Sequence, residues 1–163
     1  MEQEYLDIIW SIIWSILPIS ELRGGIPYAI ANDVNPFLAY FICVGVNILA
    51  FPIVFLFLEF LHPLFLKVDI YQKLFGKFVL KTRKKLDTKI KKYGFWGLML
   101  FVMIPLPVTG AYTGSLAAWL FNIPKKKAFI SVALGVMISG LIVITIWLFG
   151  SEVVKSMFTK EIS

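Results

Sequence analysis

Two charged residues stand where the chain otherwise reads as oil-soluble: Glu21 and Arg23, in the stretch LPISELRGGIP at 17–27. At membrane depth a charge costs at least about 2.5–3.5 kcal/mol on insertion scales, so such a pair needs a polar cavity or a partner. A guanidinium can hold a phosphate or carboxylate through two parallel hydrogen bonds, and free amides at a broken helix end also favour an anion. Glu21 offers the opposite chemistry, taking a proton or a cation. A second stretch, PLPVTGAYTGSLAAW at 105–119, sets Gly110 and Tyr112 where the first has Glu21 and Arg23, and flanks them with hydroxyls. The expected binding set is Pro18, Glu21, Arg23, Gly24, Gly25 and Pro27 from the first stretch, and Pro105, Pro107, Thr109, Gly110, Tyr112, Thr113 and Gly114 from the second. Asn47, in the helix that follows the first stretch, joins them as a polar residue.

The elements that must position these residues are membrane helices. Of 163 residues, 59% are hydrophobic and 16% aromatic, too apolar for an ordinary soluble domain. About 20 residues at 1.5 Å rise cross the roughly 30 Å hydrocarbon layer, and 36–61 and 125–150 are the segments that do so. The opening MEQEYLD carries three acids and no base, so a secretory signal peptide is not expected. The single cysteine, Cys43, implies no disulfide framework, and the single histidine, His62, is expected to be structural or interfacial. No metal, cofactor or enzyme is expected, because no hydrolytic, redox or ligand-spaced constellation is present.

The halves repeat. LPIS at 17–20 matches LPVT at 106–109, and the same offset of 89 pairs Gly25 with Gly114 and Ala29 with Ala118. An offset of 88 then pairs Pro36 with Pro124 and FICV at 41–44 with FISV at 129–132. Ten of the 16 basic residues fall in 62–92 and three more in Lys125–Lys127, and both groups should face the cytoplasm. That holds when 93–123 enters the membrane and returns to the same face. The expected architecture is therefore all-α and integral to the cell membrane. Repeat 1, 5–61, is a re-entrant hairpin (5–34) and a membrane helix (36–61). A basic amphipathic connector (62–92) follows. Repeat 2, 93–150, is a hairpin (93–123) and a helix (125–150), inverted relative to the first. Inverted repeats with broken helices build midplane transport sites. Bends at that depth must be sheltered by protein, so a homodimer is expected. The bland alternative makes Glu21 and Arg23 neighbours in an exposed surface loop.

In the connector, Ile70, Tyr71, Leu74, Phe75, Phe78 and Val79 form an apolar stripe, and Lys73, Lys77, Lys81 and Lys84 lie off it. This pattern is expected to lie in the interface and to gather anionic lipid head groups. Membrane lipids are thus partners, along with a small-molecule or lipid substrate, whereas bases this close to a membrane do not point to nucleic acid.

SELRGGIP and PLPVTGAYTGSLAAW, each followed by a long apolar helix, resemble the small multidrug export protein family over about residues 15–150. That family is distantly similar to the DedA and VTT membrane proteins, whose facing re-entrant hairpins carry acidic and arginine residues and which move or scramble lipids. Glu21 and Arg23 match the first hairpin of that pattern. The second departs from it, with no acid or arginine over 105–123. The resemblance implies a small secondary transporter or lipid flippase with a site between the hairpin tips. Two rivals stay open: a proton-coupled exporter of lipophilic cations, using Glu21 alone, and a non-transporting membrane scaffold.

Overall fold

In the computed structural model, every element among the described residues is helical. The structure describes residues 2–65, 67–69, 72–73, 75–77, 80, 94–106 and 109–160, and of residue 2 and residues 151–160 the backbone alone. Helix α1 (Glu2–Ile16) turns through 17–21 into α2 (Leu22–Ala31). Helix α3 (Pro36–Phe65) is the first long apolar helix. Helix α4 (Gly94–Met103) leads through 104–110 into α5 (Ala111–Leu120), and α6 (Lys125–Lys160) follows. Only α3 and the Lys125–Gly150 part of α6 are, among the described residues, long and apolar enough to cross a membrane.

Local chemistry sets these boundaries. Asn35 caps α3, its side chain accepting from the Phe37 and Leu38 amides at 2.9 and 3.4 Å, with Pro36 at the first helical position, where its missing N–H is harmless. Pro52 leaves the Ile48 carbonyl without its helical donor, and α3 breaks one residue later, at Leu49. A π turn at Phe57–Leu61 ends two residues before Pro63, a place where helices accommodate a missing N–H.

The two long helices run antiparallel. Tyr40 donates to the Met137 carbonyl at 3.0 Å, Phe51 meets Phe129 with ring centroids 5.5 Å apart, and Lys125 Nζ lies 2.5 Å from Glu59. The basic triplet Lys125–Lys127 therefore lies at the end of the pair where α3 finishes. Helices α2 and α5 pack between these long helices, around a core of Leu22, Ile26, Cys43, Phe51, Leu98, Val102, Val132 and Val136. The halves share local backbone structure at the offset of 89. Asp33 and Asn122 are both left-handed, with φ of 60° and 51°, a conformation these residue types tolerate. The next amides fold back alike, Val34 to Ala29 and Ile123 to Ala118, at 3.0 and 2.9 Å.

Helix α1 is inside out. Asp7, Ser11 and Ser15, one turn apart, are buried, while Leu6, Ile9, Trp10, Ile13 and Trp14 are exposed. A water-soluble helix hides its apolar stripe; α1 presents it, as a lipid-facing helix does.

Several boundaries differ from the sequence reading. Gly24, Gly25 and Pro27 lie inside α2, and Gly114 lies inside α5, not in the bends. The glycines serve close packing: a methyl on Gly25 would strike Ser15 Oγ and come within 2.6 Å of the Ser11 carbonyl, and one on Gly114 would strike Val102. Pro27 costs α2 one hydrogen bond without ending it. The first long helix runs to Phe65, past the expected end at 61, and the last helix continues to Lys160. Lys73 and Lys77 are exposed in helical residues, and Phe75 lies against His62 at 4.3 Å. Pro107, Lys81 and Lys84, and the stripe residues Ile70, Tyr71, Leu74, Phe78 and Val79, lie outside the described residues.

Candidate functional site

The two bends meet, and the residues that join them are Glu21 and Arg23. Glu21 occupies the position before α2 with φ of 51°, a left-handed backbone that an L side chain adopts at a cost. Its carboxylate reaches 90 residues along the chain. Oε2 accepts from the Ala111 amide at 3.3 Å and Oε1 from the Tyr112 amide at 3.4 Å. These are the first two amides of α5, which have no partner within their own helix, and the helix dipole favours a negative charge there. Glu21 is only 5% exposed.

Gly110 makes this possible. Its φ of 151° suits glycine, and a methyl there would overlap the Glu21 carboxylate. Gly110 and Glu21 are equivalent positions of the two halves, so one supplies the carboxylate and the other the space for it.

Arg23 closes the second link. Its guanidinium donates to the Leu106 and Thr109 carbonyls and, at 3.3 Å, to Thr109 Oγ1. Thr109 Oγ1 in turn donates towards the Ile104 and Leu106 carbonyls, at 2.7 and 2.8 Å, and accepts from the Leu106 amide at 3.2 Å. The second bend is thus organised around one threonine hydroxyl and one guanidinium. Arg23 Nε is buried without an acceptor. Tyr112 adds a third link by donating its hydroxyl to the Ile16 carbonyl.

Of the expected set, the structure brings together Glu21, Arg23, Thr109, Gly110 and Tyr112. Pro18 is exposed on the first bend, Pro105 half-buried on the second, and Thr113 half-buried inside α5. Asn47 is apart from the bends: it is fully buried and donates to the Ser15 carbonyl at 3.1 Å. Free helix-end amides for an anion were expected, but at α5 the chain's own carboxylate takes them. The Leu106 carbonyl escaped sequence reading because backbone acceptors carry no residue signature. Asp7, Ser11 and Ser15 escaped it too, although four-residue spacing of polar residues in an apolar helix is a readable signal.

The arrangement is a two-sided latch. The bend carbonyls hold Arg23, a group of the kind that binds anions, and the α5 amides hold Glu21, a group of the kind that takes a proton or a cation. Among the described residues, no group of three or more His, Cys, Asp or Glu is placed to hold a metal ion. A cavity of about 400 Å³, lined by Phe95, Phe121, Asn122, Pro124 and Lys127 among others, opens at the far end of α5 and takes no part in the latch.

A family model described as "Putative small multi-drug export protein" matches residues 21–142, a stretch that begins at Glu21, the last residue of the first bend, and contains α2, all of α3, the second bend, α5 and the first half of α6. No curated protein and no solved structure matches the chain.

Proposed function

The chain belongs to the small multi-drug export protein family, and from that premise we propose that it is a small secondary transporter whose substrate passes between the two bends. In this reading both hairpins, α1–α2 and α4–α5, are re-entrant and the halves are inverted, as in the DedA and VTT membrane proteins. The substrate is anionic or amphiphilic, a lipid phosphate being one such molecule, and leaves chemically unchanged. The end carrying Lys125–Lys127 and the connector faces the cytoplasm, and two copies pair to shelter the bends.

One observation carries the reading. Glu21 and Arg23 are the charged side chains that tie bend to bend, and each does so through groups that a charged substrate can displace. A phosphate offers Arg23 a stronger, charge-assisted bidentate partner than two neutral carbonyls. Releasing the second bend opens the path, and exchange at the latch couples binding to movement.

A second reading draws on Glu21 alone. Its carboxylate neutralises the start of α5, so protonation or a lipophilic cation would release the same helix, giving a proton-coupled exporter of cations.

Flux measured in proteoliposomes tests both. Arg23→Ala and Glu21→Gln are expected to abolish transport of a fluorescent anionic phospholipid while the variants still elute as folded protein; undiminished flux in both overturns the assignment. Proton-dependent uptake of a cationic dye that survives Arg23→Ala but not Glu21→Gln selects the second reading.

A further inference from the structure

We infer that the cavity at the far end of α5 holds the phosphate head group of an anionic membrane lipid, at a site separate from the latch. Its volume of about 400 Å³ falls in the range of small-molecule pockets. The start of α4 contributes Phe95, the turn after α5 contributes Phe121, Asn122 and Ile123, and the start of α6 contributes Pro124 and Lys127. Among the described residues the lining holds one cation and no acid. Apolar walls beside a single positive charge suit an amphiphile whose polar end is negative.

The fold does not demand this space, because the first half closes the equivalent place. Asp33 and Asn122 turn alike, and the Ala39 and Ala128 amides donate to the Asn35 and Pro124 carbonyls, both at 2.9 Å, so the halves stay in step at the offset of 89. Gly25 meets Ser11 and Ser15 of α1 as Gly114 meets Leu98 and Val102 of α4, which puts Phe95 at the place of Ile8. In the first half Val34 is 3% exposed and packs with Ile8, Ala29 and Ala39. In the second half Ala118 and Ala128 are buried like Ala29 and Ala39, but Ile123, which matches Val34, is half-buried and lines the cavity with Phe95. Larger side chains leave the larger gap. The opening therefore comes from where the segments lie, not from missing side-chain volume.

The charges change with it. Where the first half has Asp33 and Leu38, the second has Asn122 and Lys127. An acid is lost and a cation gained, an exchange that favours an anion. Lys127 is exposed and makes no ion pair among the described residues, whereas Lys125 is held by Glu59 at 2.5 Å. Lysine binds phosphate as a point charge, and the Asn122 amide can donate beside it. A free phosphate would leave the aromatic walls uncovered; the glycerol and upper chains of a lipid cover them. The cavity lies where the apolar span of α6 begins, at the end that carries the lysine triplet, and such bases attract anionic lipids. None of this rests on the latch.

Photolabelling tests the site in the full-length protein, reconstituted in phosphatidylcholine vesicles with a trace of phosphatidylglycerol that carries a diazirine near its head group. Label is expected on Phe95 and on 121–124, about fivefold above that from a phosphatidylcholine probe, as about 1 kcal/mol for one base near the head groups implies. Lys127→Gln is expected to remove this preference. Lys126→Gln, which deletes the same charge outside the lining, is expected to keep it. Equal labelling by the two probes overturns the proposal, as does a preference that survives Lys127→Gln. Equal loss in both variants overturns it too, since that marks diffuse attraction to a basic surface. Displacement of the label by excess inorganic phosphate refutes the lipid as occupant in favour of a free anion. Should Lys127→Gln not fold, the two probes on the unsubstituted protein decide.

Discussion

Replacing Glu21→Gln isolates the electrostatic part of the latch. The side chain keeps its shape and one acceptor oxygen, but loses the charge and turns a donor towards one of the two α5 amides that the carboxylate now holds at 3.3 and 3.4 Å. A hydrogen bond to a charged group contributes about 1.5–3 kcal/mol, and a charge in a partly buried helix-end site up to about 2 kcal/mol. These overlap, so we take about 2 kcal/mol as the whole loss. At 1.4 kcal/mol per factor of ten, that opens the α5 end about 30-fold more often. Hydrogen exchange reads this directly, because the Ala111 and Tyr112 amides have Glu21 as their acceptor and the neighbouring Pro105 and Pro107 carry no amide hydrogen. Those two amides should exchange about 30-fold faster in Glu21→Gln, with the interior of α6 unchanged. Equal protection in the two proteins would refute the claim that the carboxylate holds α5.

Arg23→Lys keeps the charge but loses the planar fork that spans the Leu106 and Thr109 carbonyls; it should cost about 1–3 kcal/mol, seen as a lowered midpoint in thermal unfolding in detergent. Gly25→Ala drives a methyl into Ser15 and the Ser11 carbonyl and should destabilise by about 1–3 kcal/mol, whereas Gly45→Ala, with nothing within 4 Å, should be neutral or gain up to about 1 kcal/mol in the same assay. Glu59→Gln should change stability by less than about 1 kcal/mol, because the pair with Lys125 is 34% and 65% exposed; a larger loss would mean that this contact holds the ends of α3 and α6 together.

The sequence by itself determined the membrane class, the two long helices with their proline starts at 36 and 124, and the offset of 89 that aligns the bends. These follow from hydropathy and from proline and glycine chemistry, which act over a few residues and so can be read locally. Glu21 and Arg23 were visible as charges out of place. Their partners were not, since whether a carboxylate meets an arginine, a ligand or a helix end 90 residues away depends on how α2 and α5 pack between α3 and α6. Tertiary structure likewise decided that Gly25 and Gly114 are packing residues within helices, because the neighbour a glycine admits belongs to another element. It also decided which face of α1 turns inward. The four-residue spacing of Asp7, Ser11 and Ser15 puts them on one face of a helix but does not state what that face meets, and only the packed neighbours make Ser11 and Ser15 an interior surface.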